Sequence, residues 1–232
     1  MIFGDFAKAV GQLTDPRFRR VFWLGIALTF ALLVMVYATV LWIVQGLSPD
    51  SVTVLNGREV TWIGDLLSAG SLVLMIFLSI FLMVPVASAI TSLFLEDVAQ
   101  AVEERHYPGL PPAPRLPWSD ALRDTASFLA VLIVGNLVAI VAYVMLPIGA
   151  PFIFYALNGY LLGREYFQIA AMRREGREGA KALRQRHTGT IWVAGCLMAL
   201  PLTIPLVNLL IPILGAATFT HLYHRLRRRT PV

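Results

Sequence analysis

IWVAGCLMALPLTIPLVNLLIPILGAATFTHLY, residues 191–223, carries no Lys, Arg, Asp or Glu across 33 positions. The stretch is too long and too apolar for the core helix of a soluble domain. Pro201 and Pro205 interrupt it, and Pro212 follows. Each proline lacks an N–H and its ring collides with the carbonyl four residues back, which disfavours one straight helix. The spacing predicts two shorter apolar helices meeting near Pro201–Pro205, a hairpin that enters a membrane and returns. Asn208 falls just past the turn, where freed backbone groups need a polar partner.

The composition agrees. Hydrophobic residues make up 57% of the 232 and charged residues 14%, against about 25% charged in ordinary soluble domains. Mean hydropathy is +0.70. This length holds one membrane domain, 1–232, with no large soluble module beside it. The net charge of +5 fits loops on the cytoplasmic face and does not argue for nucleic acid. A single cysteine, Cys196, excludes an internal disulfide and a CxxC redox or metal site.

Outward from the hairpin, the other segments follow from apolar length and turn chemistry. Residues 1–14 place Ile2, Phe3, Phe6, Ala9 and Val10 at helical spacing, which predicts an amphipathic helix in the membrane interface. Thr14 or Asp15 is a suitable cap and Pro16 a suitable first residue for the next helix. Residues 21–45 are uncharged and span a hydrocarbon layer roughly 30 Å thick. Trp23 and Trp42 lie near the two ends, as interfacial aromatics do. The connector VTVLNGREVTW (52–62) alternates about Asn56-Gly57, the pattern of a short strand pair. A second uncharged run, 66–95, predicts another span that Pro85 kinks. The run YPGLPPAPRLP (107–117) predicts irregular or polyproline-like backbone.

Residues 128–163 repeat the opening design: an apolar arm, a turn marked by Pro147 and Pro151, and a second apolar arm. Between the hairpins lies the basic segment 164–187, and the chain ends near Arg225, Arg227, Arg228 and Arg229. Of 19 Lys and Arg, only Arg58 falls between the first two spans. Both termini and both basic loops are therefore expected on the cytoplasmic side. Either full crossing or part-way penetration of the hairpins satisfies that bias, and the short arms with central prolines favour part-way.

Few residues carry recognisable chemistry. His221-x-x-His224 could place two imidazoles on one face, but no third ligand accompanies them, so no metal is expected. Asn136, Asn158 and Asn208 lie in apolar arms, where uncharged polar groups join helices or satisfy broken backbone. Asn208 and Asn158 are also candidates for lining a pathway, since irregular backbone at membrane depth lines cavities. Glu165 beside Arg164 reads as an interfacial ion pair. Nucleotide-binding, zinc-protease and serine-hydrolase motifs are absent, so an enzyme is the least favoured class and no cofactor is implied. The apolar runs contain no Asp, Glu, Lys or Arg, whereas pumps and symporters need such a group at depth.

The run GCLMALPLTIPLVNLLIPILGAATFTHLY, with Pro205, Leu206, Asn208, Leu209 and then Gly215, Ala216, Ala217 and Thr218, resembles the C-terminal signature of the CysZ-type sulfate permeases. MLPIGAP followed by FIFYALNGYLLGREYF resembles that family's other hairpin, and Pro16-x-Phe-Arg19-Arg20 its entry to the first span. The resemblance covers nearly the whole chain, and the wider group includes the etoposide-induced membrane proteins. It implies an all-α integral membrane protein: two long spans plus two proline-broken hairpins, in the inner membrane of a bacterium. It further implies uptake of sulfate for cysteine synthesis, with the anion held at Arg19 and Arg20. Pro16 would preorganise that site, and Leu13 and Thr14 would supply backbone N–H groups. Guanidinium groups and a helix N-terminus suit a tetrahedral oxyanion. Asp15 departs from this chemistry by setting a carboxylate beside the site. Half-apolar arms do not close a pathway alone, so a homodimer or larger assembly is expected, its close approach permitted by Gly135, Gly149, Gly159, Gly195 and Gly215. A non-transporting membrane scaffold or lipid-associated protein of the same fold is the alternative.

Overall fold

The computed structural model describes residues 2–47, 52–53, 59–60, 70, 73, 86–87, 90–91, 94–114 and 117–229. The expected span 66–95, with Pro85, lies almost entirely outside the described residues. In order the elements are α1 (Ile2–Gly11), α2 (Pro16–Leu47), β1 (Val52–Thr53), β2 (Glu59–Val60), α3 (Leu95–His106), α4 (Trp118–Met145), α5 (Ala150–Arg186), α6 (Thr188–Ala199), α7 (Pro205–Asn208) and α8 (Ile211–Arg229). The described residues are thus helical, apart from one two-residue antiparallel ladder that pairs Val52 with Val60 and Thr53 with Glu59. That ladder closes the Asn-Gly connector where the alternation placed it. Contacts divide the chain into one unit of Met1–Phe22 with Ser92–Val232 and a second of Trp23–Thr91.

In the smaller unit, α2 continues as an apolar helix with Trp23 and Trp42 exposed. Gly25 is there because Thr91 leaves it no room: a Cβ would lie 2.4 Å from the Thr91 Oγ1. The hydroxyls of Thr29 and Thr91 are buried and each donates to the carbonyl four residues back, at 2.7 Å, so neither stays unsatisfied in apolar surroundings.

In the larger unit, the C-terminal helix is the centre. Every residue of α8 from Ile211 to His224 is buried, wrapped by α1, α3 and α5. Phe219, Leu222, Ile211 and Ile213 pack there with Phe167 and Met198, each worth about 1.5–3 kcal/mol on burial. The break ahead of it falls where the prolines predict: a 3-10 turn over Leu200–Thr203, then the short α7 and the start of α8 at Ile211. The other hairpin turns through a 3-10 segment at Pro147–Gly149.

Three features differ from the sequence expectation in detail. The first arm of the 128–163 hairpin begins at Trp118, because nothing between Trp118 and Met145 breaks a helix; at 28 residues it is about 42 Å long. Little of its apolar surface is buried within the protein, unlike that of a soluble core helix, and Ile133, Val134, Leu137, Val138 and Val141 are exposed. The second arm does not stop at Gly163 but runs through the basic segment to Arg186, broken at Gly176 (φ 66°, ψ −179°), a conformation open essentially to glycine alone. Gly159 and Gly195, two of the glycines expected to permit close helix approach, serve contacts inside the chain. A Cβ on Gly195 would fall 1.9 Å from the Gly159 carbonyl oxygen, and one on Gly163 would fall 2.6 Å from that of Ile191. Helices α5 and α6 therefore meet backbone to backbone, the small-residue packing of membrane helices.

Candidate functional site

The turn from α1 into α2 carries the residues singled out by the Pro-x-Phe-Arg-Arg motif. Asp15 caps α2: its carboxylate accepts the Arg17 amide at 2.9 Å, and its carbonyl accepts the Arg19 amide at 3.0 Å. Pro16 has no N–H to offer. The Leu13 amide donates to the Val10 carbonyl at 3.1 Å, and Thr14 is exposed. The backbone donors at this helix start are thus largely occupied within the protein. The guanidinium groups are not. Arg19 and Arg20 are exposed and neither side chain meets a described partner.

The neighbouring acids are already neutralised by other bases. Arg17 pairs with Glu104 at 2.6 Å, and Arg105 approaches Asp15 at 3.6 Å. The fully buried Gln12 fixes the turn by donating to Asp15 at 3.3 Å and to the Ala101 carbonyl at 3.2 Å. The result is a rigid helix entry with two adjacent free cations.

A second charged site lies inside the unit and was not singled out from the sequence. Glu103 on α3 is buried, and Arg174 grips both its oxygens, Nε to Oε1 at 3.1 Å and Nη2 to Oε2 at 2.7 Å. Arg173 approaches at 3.4 Å and His224 at 3.0 Å. Burial alone would raise the carboxyl pKa; hydrogen bonds from His224 and Arg174 and the charge of Arg173 outweigh it and hold Glu103 at about 2. Arg174 also donates to the Pro111 carbonyl, which ties the proline run to the core. Beside it runs a cleft of about 860 Å³ lined by Glu96, Gln100, Trp118 and the Pro108–Pro114 segment. Only the residue types were legible in advance; Glu103 and His224 are 121 positions apart.

The histidine pair faces this same cluster. The His221 ring shares a hydrogen bond of 2.9 Å with the Tyr107 hydroxyl, and His224 stacks on the Tyr107 ring at 4.1 Å. Burial pushes the Tyr107 hydroxyl up to about 12, with Asp5 adding to it, so it remains protonated. Asp5 on α1 is itself buried and pairs with Arg225 at 2.7 Å, which fastens α1 to α8 and leaves Phe3 and Val10 exposed.

The expected Arg164–Glu165 pair does not form. Consecutive helix residues point apart, and Arg164 instead donates to the Ser127 hydroxyl at 2.9 Å and to its carbonyl at 3.2 Å. Asn158 and Asn136 each return a hydrogen bond to the carbonyl four residues back, at 2.9 and 2.8 Å. Asn208 is half-buried at the end of α7.

The fold and this helix entry set the frame for comparison with known proteins. No curated protein matches the chain. The family model described as Sulfate transporter CysZ/Etoposide-induced protein 2.4 matches residues 5–212, which spans both hairpins' turns, the α2 entry, and Glu103 with Arg173 and Arg174 but not His224. On that match, together with two helices among the described residues that are long and apolar enough to cross a membrane, the chain belongs to the membrane-protein family of the sulfate transporter CysZ and etoposide-induced protein 2.4.

Proposed function

We propose that this chain is a sulfate permease of channel-like type, which moves sulfate into the cytoplasm for cysteine biosynthesis. The observation that carries the reading is the pair of free guanidinium groups at Arg19 and Arg20, next to acids already matched by Arg17 and Arg105. Two adjacent cations with no internal counter-charge attract a doubly charged oxyanion, and guanidinium forks match its oxygens. Pro16 and the Asp15 cap hold the helix start in place, so little ordering is needed on binding. The amides of Leu13 and Thr14 play a smaller part than the side chains, because Leu13 already donates internally.

In this reading the protein is a multi-pass protein of the bacterial inner membrane with both termini cytoplasmic. Helix α1 presents Phe3 and Val10 to the interface, the two hairpins dip from the cytoplasmic face, and Asn208 and Asn158 border the path. Two or more copies surround that path. The test is sulfate uptake by purified protein in proteoliposomes. Wild type takes up sulfate; the double variant Arg19→Ala, Arg20→Ala loses at least nine-tenths of the flux while remaining folded.

A second reading, a membrane scaffold that conducts nothing, draws on Asp15, whose carboxylate occupies the amide that an anion at the helix start would take. It predicts no sulfate flux above that of empty vesicles for wild type and variant alike.

A further inference from the structure

A smaller cavity, about 310 Å³, lies between α4, α5 and α6, and has the space of roughly ten water molecules. Its polar wall is Ser127, Tyr160, Arg164, Arg184, Gln185 and Thr188, and the Trp192 ring closes one side. Arg164 and Arg184 belong to one helix. Twenty residues of unbroken helix would hold them about 30 Å apart. They share a cavity because the chain reverses at Gly176, the one position in α5 with a positive φ.

No acid lines the cavity with them, although Asp124 acts electrostatically on both arginines and Glu165 on Arg164. Arg164 is 6% exposed, fixed by the Ser127 bonds and by the Phe128 ring 5.5 Å from its guanidinium carbon. The buried Arg184 Nε has no hydrogen-bond partner. Burial, then the like charge of Arg164, lowers the Arg184 pKa. The nearest acids do not line the cavity, and neither forms an ion pair with these arginines among the described residues. One is Asp124, whose carboxylate takes the Gln168 amide at 3.1 Å; the other is Glu165. Tyr160 and Gln185 add donors with no described partner, while the Trp192 Nε1 is already spent on the Ala156 carbonyl at 2.9 Å.

We propose that this cavity is a second oxyanion site, which holds one tetrahedral anion between the guanidinium groups of Arg184 and Arg164, with the Tyr160 hydroxyl and the Gln185 amide as neutral donors. A buried and a half-buried like charge side by side cost free energy that an anion between them offsets; the Arg184 fork, with the N–H groups that Arg164 does not give to Ser127, suits the oxygens of sulfate or phosphate. The anion is either free sulfate or the phosphate of an anionic lipid headgroup, since Trp192 and Tyr160 are the residue types found where apolar arms meet water. The site is separate from the α2 entry and stands whether or not that entry conducts sulfate.

The test uses full-length protein in neutral detergent. One arm measures equilibrium binding of radiolabelled sulfate; the other measures retention of phosphatidylglycerol against phosphatidylcholine by native mass spectrometry. Arg184→Gln is expected to weaken one of these at least tenfold, and Tyr160→Phe two- to threefold. The Arg19→Ala, Arg20→Ala variant keeps that component intact. Loss in the sulfate arm identifies a free-anion site, and loss in the lipid arm a headgroup site. Wild-type binding by Arg184→Gln in both arms overturns the proposal, as does loss of all anion binding in the Arg19→Ala, Arg20→Ala variant alone. Should Arg184→Gln fold poorly, Arg184→Lys keeps the charge and loses the fork. It is expected to bind between threefold and tenfold more weakly, and unchanged binding there overturns the proposal equally.

Discussion

Two Arg-Arg pairs in this chain look alike in sequence and have opposite fates. Arg173 and Arg174 sit inside the protein on a shared carboxylate, with side chains 9% and 13% exposed. Arg19 and Arg20 are exposed and form no ion pair among the described residues. The dipeptide is the same; what differs is whether a distant segment delivers a free carboxylate. Helix α3 turns Glu103 inward onto the first pair. It turns Glu104 outward, where Arg17 takes it at 2.6 Å before it can reach the second. A pair that is saturated contributes to the fold, and a pair kept free is available to a ligand. This difference can be broken from either side.

The largest effect is expected at Glu103. Glu103→Gln leaves two guanidinium groups buried without their counter-charge, and removing one partner from a buried pair costs about 3–5 kcal/mol. A thermal melt in detergent should fall sharply, and a variant that melts as wild type would show that the cluster holds nothing together.

Acid probes the same contact. The Glu103 carboxyl lies at about 2 in the folded protein against an ordinary value of 4.5. Its stabilisation is therefore fully present above pH 4.5 and disappears as pH falls through 2, because the unfolded chain binds the proton first. Melts between those limits should lose stability in wild type and lose much less in Glu103→Gln.

How much of this was legible in the sequence follows from the range of the interactions. The proline breaks at Pro147 and Pro201–Pro205 were readable because a missing N–H acts within one helical turn. The Arg19–Arg20 entry was readable because its cap, Asp15, is four residues away. The Glu103 cluster was not, because its partners lie 70 and more positions off and α3 reads only as part of a polar connector. The Gly195–Gly159 contact was half legible: the composition announced close helix approach, but composition alone does not say whether the neighbour is the same chain. The reversal at Gly176 was hidden by the basic run around it, which reads as a solvated helix.

A middle-sized effect is expected at Asp15, which tests the free pair from the acid that caps its helix. Asp15→Asn keeps a capping side chain, so the helix start loses little, while one negative charge leaves the neighbourhood of Arg19 and Arg20 and Arg105 loses its partner at 3.6 Å. A unit charge about 4 Å away in water is worth about 1 kcal/mol, so sulfate affinity should rise about fivefold. A fall in affinity would mean that the anion depends on Asp15 holding the turn, and not on the cations it partly screens.

The smallest effect is expected where the functional reading needs it to be small. Replacing Arg19 and Arg20 by Ala removes no described hydrogen bond or ion pair of either side chain, and exposed substitutions of that kind stay within about 0.5 kcal/mol. The double variant should therefore melt with wild type in sulfate-free buffer. Sulfate should raise the melting temperature of wild type and raise that of the variant less, since a ligand stabilises only the state that binds it. If the variant is instead strongly destabilised without sulfate, the two Arg-Arg pairs are not different in kind. Arg19 and Arg20 would then be topology anchors whose loss disturbs insertion, and missing flux would say nothing about an anion site.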